Sequence, residues 1–197
     1  MISPSSEHLV VLNALYRDVD AQTSVLAEIH ESRLVCRRGC CMCCVDDLTV
    51  FEIEASNIRA AHAGLLESAT PHPVGACAFL DSEGACRIYE SRPYVCRTQG
   101  LPLRWLDEDE AGEFIELRDI CPLNDEGDVE PIEDLPPDEC WSIGPIEERL
   151  GKLQLQSGNG MLTRIPLRSL FALPAEPTDG RQPPSHPPTH PGPASIQ

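Results

Sequence analysis

Apolar residues recur at every third or fourth position in the N-terminal part of the chain. This spacing places them on one face of a helix, because an α-helix completes a turn in about 3.6 residues. That face carries Leu9, Leu12, Tyr16, Val19 and Leu26. The stripe weakens at Thr23 and His30, which favours a helix packed on its own domain over a dimeric coiled coil. We therefore predict that residues 1–34 form an N-terminal helix packed on the domain.

Two more helices and a short strand are predicted downstream. Thr49 followed by Glu52 has the spacing of a capping box, which marks the start of a helix. The apolar face of that second helix carries Phe51, Ala55, Ile58, Ala61 and Leu65. Pro145 is a favoured first helical residue and begins a third helix. Its apolar stripe comprises Ile146, Leu150 and Leu153. The segment Phe114–Leu117 is typical of a short strand.

The regular patterns end near residue 166. Residues 174–197 hold eight of the 19 prolines, a composition typical of a disordered tail. We predict a folded cysteine-rich domain over residues 35–165, which includes the third helix, and a Pro-rich disordered tail over residues 166–197.

Charge and composition exclude several functional classes. The formal net charge is −17, whereas a nucleic-acid-binding protein needs a basic face to neutralise phosphates. No stretch approaches the roughly 20 apolar residues of a membrane-spanning helix, and residues 1–17 lack the basic-then-apolar pattern of a secretory signal. We expect a cytoplasmic protein that binds neither nucleic acid nor membranes. The sequence identifies no protein partner.

The chain contains ten cysteines, and five of them lie within residues 36–44. In a reducing compartment thiols do not settle into disulfides, so metal binding or redox chemistry is the better interpretation. The spacing of Cys40 and Cys43 lets two sulfur atoms reach one metal ion from a tight turn. Adjacent side chains of an extended segment point to opposite sides. Cys43 and Cys44 are therefore expected to serve two metal positions, or two irons of one cluster.

Five further cysteines lie downstream, the last of them Cys140. Cys77, Cys86 and Cys96 are separated by nine and ten residues, which suits three ligands brought together by a turn and a short helix or strand. Cys121 precedes Pro122, which removes an N–H and stiffens the backbone beside the thiol. Bacterial ferredoxin motifs also end in Cys-Pro.

Together, residues 33–124 resemble the YkgJ-type cysteine-cluster family, also called CxxCxxCC, whose members are described as zinc- or iron-chelating proteins. The resemblance rests on Cys36, Gly39-Cys40, Cys43-Cys44, Cys77 with Phe79-Leu80, Cys86-Arg87-Ile88-Tyr89-Glu90, Arg92-Pro93, Cys96-Arg97 and Cys121. Some members are named iron–sulfur oxidoreductases, and a flagellin lysine methylase carries a similar cluster.

The resemblance implies a set of eight metal ligands. They are Cys36, Cys40, Cys43, Cys44, Cys77, Cys86, Cys96 and Cys121. Cys41 and Cys140 lie outside the pattern. Thiolates favour both zinc and iron–sulfur centres, so the implied cofactor is zinc or an iron–sulfur cluster.

Positive charge close to the sulfur atoms would offset the negative charge of so many thiolates. Arg37, Arg38, Arg87, Arg92 and Arg97 are close in sequence to ligand positions. We predict that several of them, with Arg87, Arg92 and Arg97 as the best candidates, donate hydrogen bonds to the sulfur atoms. The alternative is that they face solvent or pair with Asp46, Asp47 and Glu90.

The predicted fold is α+β, a small helix-rich domain with short strands organised around a cysteine metal cluster. The predicted function is metal chelation, without a dedicated active site. The alternatives are an iron–sulfur-dependent oxidoreductase and an interaction scaffold stapled by metal. Because a structural zinc site contributes on the order of 10 kcal/mol in small peptides, we expect metal removal to unfold residues 36–121.

Overall fold

The computed structural model describes residues 4–37, 39–126, 130–157 and 161–171. In chain order its elements are α1 (Ser6–Ile29), β1 (Thr49–Phe51), α2 (Glu52–Ser68), α3 (Tyr94–Arg97), β2 (Leu103–Glu108), β3 (Phe114–Asp119), β4 (Trp141–Ser142), α4 (Pro145–Ser157) and β5 (Arg164–Pro166). Short 3-10 turns occupy Tyr89–Ser91, Pro122–Asn124, Pro137–Glu139 and Leu167–Leu170. Helices combined with small sheets of short strands confirm the predicted α+β class.

The two sheets are built from short segments that are distant in sequence. β2 is the central strand of a three-stranded sheet, antiparallel to β3 and parallel to β4. β1 pairs antiparallel with β5, with Thr49 opposite Pro166. The predicted strand at residues 114–117 is confirmed within β3, and the predicted start of the third helix at Pro145 is confirmed in α4.

Helix α1 packs against α2, α3 and α4. Its buried residues are Leu12, Leu15, Tyr16, Val19, Thr23 and Leu26. Thr23 and His30, the predicted weak points of the stripe, are both buried. The Thr23 hydroxyl donates to the Asp20 carbonyl at 3.2 Å, and His30 Nε2 lies 2.7 Å from the Glu139 carbonyl oxygen. The buried face of α1 therefore includes polar side chains, and these have hydrogen-bond partners.

The start of α2 differs from the prediction. Thr49 lies in β1, so the predicted capping box at Thr49 and Glu52 is wrong by two residues. The backbone N–H of Phe51 donates to Glu54 Oε2 at 3.1 Å, and the helix begins at Glu52. Strand pairing with β5 holds Thr49 in an extended conformation, which excludes it from the cap.

The predicted tail also differs from the structure at its start. Pro166 ends β5, and the 3-10 turn Leu167–Leu170 follows it. Leu167, Leu170 and Phe171 are buried. The rest of the predicted tail, residues 172–197, lies outside the described residues.

Two apolar clusters form most of the core. The first joins α1, the start of α2, β2, β4 and α4, and includes Leu12, Val19, Ile53, Tyr94, Trp141 and Leu150. The second contains Val50, Ala55, Ile58, Leu66, Cys77, Ala78, Phe79, Leu80, Ile88, Leu167, Leu170 and Phe171. Three of the predicted ligand positions thus belong to this region: Cys77 is part of the second cluster, and Cys44 and Cys86 pack against it.

None of the helices within the described ranges is both long and apolar enough to span a lipid bilayer.

Candidate metal centre

The first cysteine stretch folds as two consecutive turns. The Cys40 N–H donates to the Arg37 carbonyl and the Cys44 N–H to the Cys41 carbonyl, each at 2.9 Å. Gly39, between them, has a φ of +87°, a conformation that side chains with a Cβ rarely adopt. These turns shape the first cysteine stretch, residues 36–44, which contacts a second cysteine stretch, residues 77–96.

The loop that contains Gly84 packs directly against these turns. Gly84 has a φ of +78°, and a Cβ at that position would lie 3.1 Å from the Gly39 carbonyl oxygen and 3.5 Å from Cys41 Sγ. The two loops approach this closely because both positions lack a side chain. The Asp81–Gly84 turn is therefore part of the framework of the site.

Backbone hydrogen bonds join the first cysteine stretch to the second. The Cys77 N–H donates to the Cys44 carbonyl at 2.8 Å. A β-bridge between Leu80 and Cys86, with the Arg87 N–H donating to the Phe79 carbonyl at 2.9 Å, folds the chain back on itself. Cys86 is thereby brought against Leu80, three residues after Cys77.

Backbone N–H groups also donate to the sulfur atoms of this pair. Burial raises the pKa of the Cys77 thiol, and a hydrogen bond from the Phe79 N–H lowers it in part. Burial likewise raises the pKa of Cys86, which receives a hydrogen bond from the Ile88 N–H. Each donor lies two residues after its cysteine. Such N–H donors favour the thiolate, which is the form that binds metal.

Cys96 lies on the short helix α3, which a buried carboxylate holds in place. Glu54 Oε1 accepts hydrogen bonds from the Tyr94 N–H at 2.9 Å and from the Tyr16 hydroxyl at 3.0 Å. Burial raises the pKa of Cys96 strongly, and the nearby Cys77, Cys86 and Cys43 thiols raise it further. Glu54 itself has a raised pKa because it is buried.

Cys36, Cys40, Cys43 and Cys121 form a second neighbourhood. Burial raises the pKa of Cys36, a hydrogen bond from Asn124 lowers it, and the Cys40, Cys121 and Cys43 thiols raise it again. Cys121 ends the strand-to-turn connection after β3 and is half-buried. The neighbourhood therefore combines the first stretch with the Cys-Pro segment, which is remote from it in sequence.

The adjacent thiols Cys43 and Cys44 connect the two neighbourhoods. A hydrogen bond between them lowers the pKa of Cys43 to about 6 and raises that of Cys44. The thiols of Cys77 and Cys96 raise the pKa of Cys44 further, whereas Cys43 also acts on Cys36. Cys44 thus belongs with the Cys77 neighbourhood, and Cys43 lies between the two.

The eight cysteines in these two neighbourhoods are the eight predicted ligands. Of the other two, Cys41 is exposed, and Cys140 is buried in an apolar cluster with Ile120, Ile132 and Leu135. Burial raises the pKa of Cys140, and its charged neighbours are arginines and glutamates rather than thiols. Which of the ten cysteines bind metal remains a prediction.

The described residues do not assemble a closed coordination shell. No three His, Cys, Asp or Glu side chains within those ranges are close enough together to share one metal ion. The donor chemistry nevertheless fits zinc or iron: the thiols are free, several accept backbone N–H groups, and Arg87 Nε is buried without a hydrogen-bond partner in the described part of the chain.

The three arginines predicted to donate to sulfur bond mainly to backbone carbonyls. Arg87 donates to the carbonyls of Thr70 and Ala78, at 3.1 and 2.6 Å. Its charge, and that of Arg92, lowers the pKa of Cys86. Donation from these side chains to sulfur stays a prediction, although the charges of Arg87 and Arg92 act on Cys86.

Arg92 and Arg97 connect the Cys96 segment to α1. Arg92 donates to the Tyr89 carbonyl at 3.1 Å, and its guanidinium lies 3.6 Å from Asp20. Arg97 is bound to Asp20 at 2.5 Å and also donates to two carbonyls in the preceding turn. Pairing with Asp20, which sequence reasoning did not consider, holds both side chains. Arg38, another predicted donor, lies outside the described residues.

Residues 35–122 match the CxxCxxCC family, which carries the description "Putative zinc- or iron-chelating domain". Comparisons with curated proteins and with solved structures found no match. The matched segment contains all eight cysteines of the two neighbourhoods. Over residues 35–122, which are less than half of the chain, the protein is therefore similar to the CxxCxxCC family.

Proposed function

We propose that this protein binds zinc or iron through the thiolates of eight cysteines in two groups of four. The first group is Cys36, Cys40, Cys43 and Cys121. The second group is Cys44, Cys77, Cys86 and Cys96. The observation that carries the proposal is that residues 35–122 match the family described as zinc- or iron-chelating, in a fold where the Cys77 N–H donates to the Cys44 carbonyl at 2.8 Å and Asn124 joins Val35 to the segment of Cys121.

Four thiolates complete one tetrahedral zinc site, and they equally suit a cluster of irons. We place Cys44 in the second group because Cys77 and Cys96 act on it, and Cys43 in the first group because it acts on Cys36, although Cys43 also acts on Cys96. The bound metal would supply a strong, multidentate link between segments that otherwise meet through a few backbone hydrogen bonds. Arg87 and Arg92 would offset part of the negative charge of the second group.

No feature of the described residues favours an oxidoreductase over a chelating domain. The proposed role of the metal is therefore binding and structural support, in a cytoplasmic protein.

The test is a panel of serine variants purified without oxygen, with metal measured by elemental analysis. Cys36→Ser and Cys86→Ser each remove one ligand from a different group, and each variant should lose about half of the bound metal. Cys41→Ser and Cys140→Ser are matched controls, because they remove a thiol outside both groups. Both controls should keep the wild-type metal content.

The same samples decide between the metals. Colourless protein with about two zinc ions per chain supports two zinc sites, whereas brown protein containing iron and inorganic sulfide supports a cluster. Wild-type protein that holds neither metal would overturn the proposal. Equal metal loss in Cys41→Ser and Cys36→Ser would overturn the assignment of the ligands.

A further inference from the structure

Asn124 is a buried amide in contact with the sulfur atom of a proposed ligand. The residue is 1% exposed and lies two positions beyond the segment that matches the family. Its Nδ2 donates to the Gly100 carbonyl at 2.7 Å and lies 3.4 Å from Cys36 Sγ, within hydrogen-bonding range of sulfur. The side-chain amide therefore donates hydrogen bonds to both a backbone oxygen and a thiol.

The rest of Asn124 fixes the two segments that carry Cys36 and Cys121. Its Oδ1 accepts the N–H of Val35 at 2.9 Å, the residue directly before Cys36. Its own backbone N–H donates to the Cys121 carbonyl at 2.8 Å. One buried residue thus holds both ends of the first cysteine group, which come from distant parts of the sequence.

Gly100 provides the space in which the Cys36 sulfur lies. A Cβ at this position would be 2.8 Å from Cys36 Sγ and 3.4 Å from Asn124 Nδ2. The first distance is shorter than real Cβ atoms tolerate, so any side chain here would displace the sulfur or the amide. Gly100 also has a φ of +94°, which disfavours other residues in its own right.

We propose that Asn124 is a positioning residue that orients Cys36 for metal binding by hydrogen-bonding to its sulfur atom, within a space kept open by Gly100. The inference rests on the proposed function, because it concerns a ligand of the first cysteine group. Amide donors of this kind select the orientation of a ligand and stabilise the thiolate. Nothing in the Cys-x-x-Cys spacing itself assigns this role.

The first test replaces the amide by an isosteric carboxylate. Asn124→Asp keeps the oxygen that accepts the Val35 N–H but removes the donor to sulfur and to Gly100. Gln154→Glu is the control, since Gln154 is also a buried amide and bonds to Ile53 and Met161 instead of a thiol. We expect Asn124→Asp to weaken metal retention at the first group by about tenfold or more, and Gln154→Glu to leave it unchanged.

The second test uses glycine and keeps the inference testable if the buried carboxylate prevents folding. Gly100→Ala places a Cβ against the sulfur. Gly144→Ala is the control, because Gly144 has a comparable φ of +120° with nothing within 4 Å of its Cβ position. Both variants place an alanine at a positive φ and are destabilised for that reason, but only Gly100→Ala should lose metal from the first group.

Metal retention is measured as the rate at which a chromogenic chelator removes zinc from the zinc-loaded full-length protein. Cys36→Ser and Cys86→Ser identify which kinetic phase belongs to which group. In cobalt(II)-substituted protein, loss of the hydrogen bond in Asn124→Asp should also shift the thiolate-to-cobalt charge-transfer band to longer wavelength, which a general loss of stability would not do.

The outcomes separate the inference from the function on which it rests. A faster first-group phase in Asn124→Asp and Gly100→Ala, with an unchanged second-group phase, supports the positioning role. Wild-type release rates in both variants would overturn that role while the metal site stands. Failure of the wild-type protein to take up zinc or cobalt would instead overturn the proposed function.

Discussion

Protonation of the individual thiols governs how this protein would take up metal. Burial is the main cause of the raised pKa values of Cys36, Cys77, Cys86 and Cys96. These thiols are therefore protonated at neutral pH in the metal-free chain. Cys43 differs from them, because its hydrogen bond to Cys44 lowers its pKa to about 6. Metal binding must displace a proton from most of the proposed ligands.

The first prediction concerns pH. Because raised pKa values make protons compete more strongly with the metal, the apparent affinity should increase as pH rises and decrease as pH falls. Each proton displaced per metal contributes about a tenfold change in affinity per pH unit. A competition titration with a chelator, repeated across neutral and mildly alkaline pH, measures this slope. A pH-independent affinity would contradict the assignment of protonated thiols as ligands.

The eight proposed ligands were predicted from the sequence, whereas the proposed positioning residues Asn124 and Gly100 were not. The spacing of the cysteines within residues 36–44 is apparent from the sequence alone, and it indicates metal binding. Asn124 and Gly100 act on Cys36 from remote parts of the sequence, and neither residue type is unusual in a turn. The close approach of Gly100 to a sulfur atom exists only after the chain has folded.

At the scale of elements, the periodic apolar stripes predicted α1 and α4 because each helix buries one continuous face. The start of α2 was misplaced for a tertiary reason: Thr49 pairs with Pro166, a residue near the other end of the described chain. The same pairing explains the segment after residue 166. Apart from Pro166, the prolines of the predicted tail lie beyond residue 173, whereas β5 and the following turn are held against the domain by long-range contacts such as the hydrogen bond from the Leu167 N–H to the Leu48 carbonyl at 2.9 Å.

Arg168 makes the clearest of those long-range contacts. It binds Asp46 at 2.5 Å and donates to the carbonyls of His72 and Ala76, at 2.7 and 2.8 Å. These groups flank both the first cysteine stretch and Cys77. The segment around residue 168 therefore supports the loop that leads into the second cysteine group.

Phe171 gives this element a measurable energetic role. It is 3% exposed, and its ring centroid lies 4.9 Å from that of Phe79. Phe171→Ala should lower the free energy of unfolding by about 3–5 kcal/mol, the usual cost of truncating a buried Phe. Phe114→Ala is the matched control, because Phe114 is 74% exposed; its effect should stay within about 0.5 kcal/mol.

Urea denaturation of both variants measures the difference, with metal content held at the wild-type level. A Phe171→Ala variant as stable as Phe114→Ala would show that residues 167–171 are not part of the folded core.

In the whole molecule, the helical core and the cysteine groups are distinct. The first apolar cluster contains no cysteine and joins α1 to α4, and among its residues Tyr94 lies two positions before Cys96 on α3. The segments that carry the thiols border the second cluster and depend on tight turns and single hydrogen bonds. Metal removal should therefore disorder the cysteine segments more than the helices.

The near-UV circular dichroism of Tyr94 and Trp141 can measure the expected disorder of the cysteine segments. The Trp141 Nε1–H donates to the Tyr94 hydroxyl at 2.9 Å, and Tyr94 lies two residues before Cys96 on α3. Loss of order around Cys96 should abolish much of the near-UV circular dichroism of this pair. The far-UV signal of α1 and α4 should persist in larger part.

The most direct measurement is elemental analysis of protein purified without oxygen, repeated after chelation with near-UV circular dichroism recorded on the same samples. We predict stoichiometric zinc or iron before chelation, and loss of the near-UV signal together with the metal. Protein that contains neither element and still shows the full near-UV signal would contradict the account, as would chelation that removes the metal and leaves that signal unchanged.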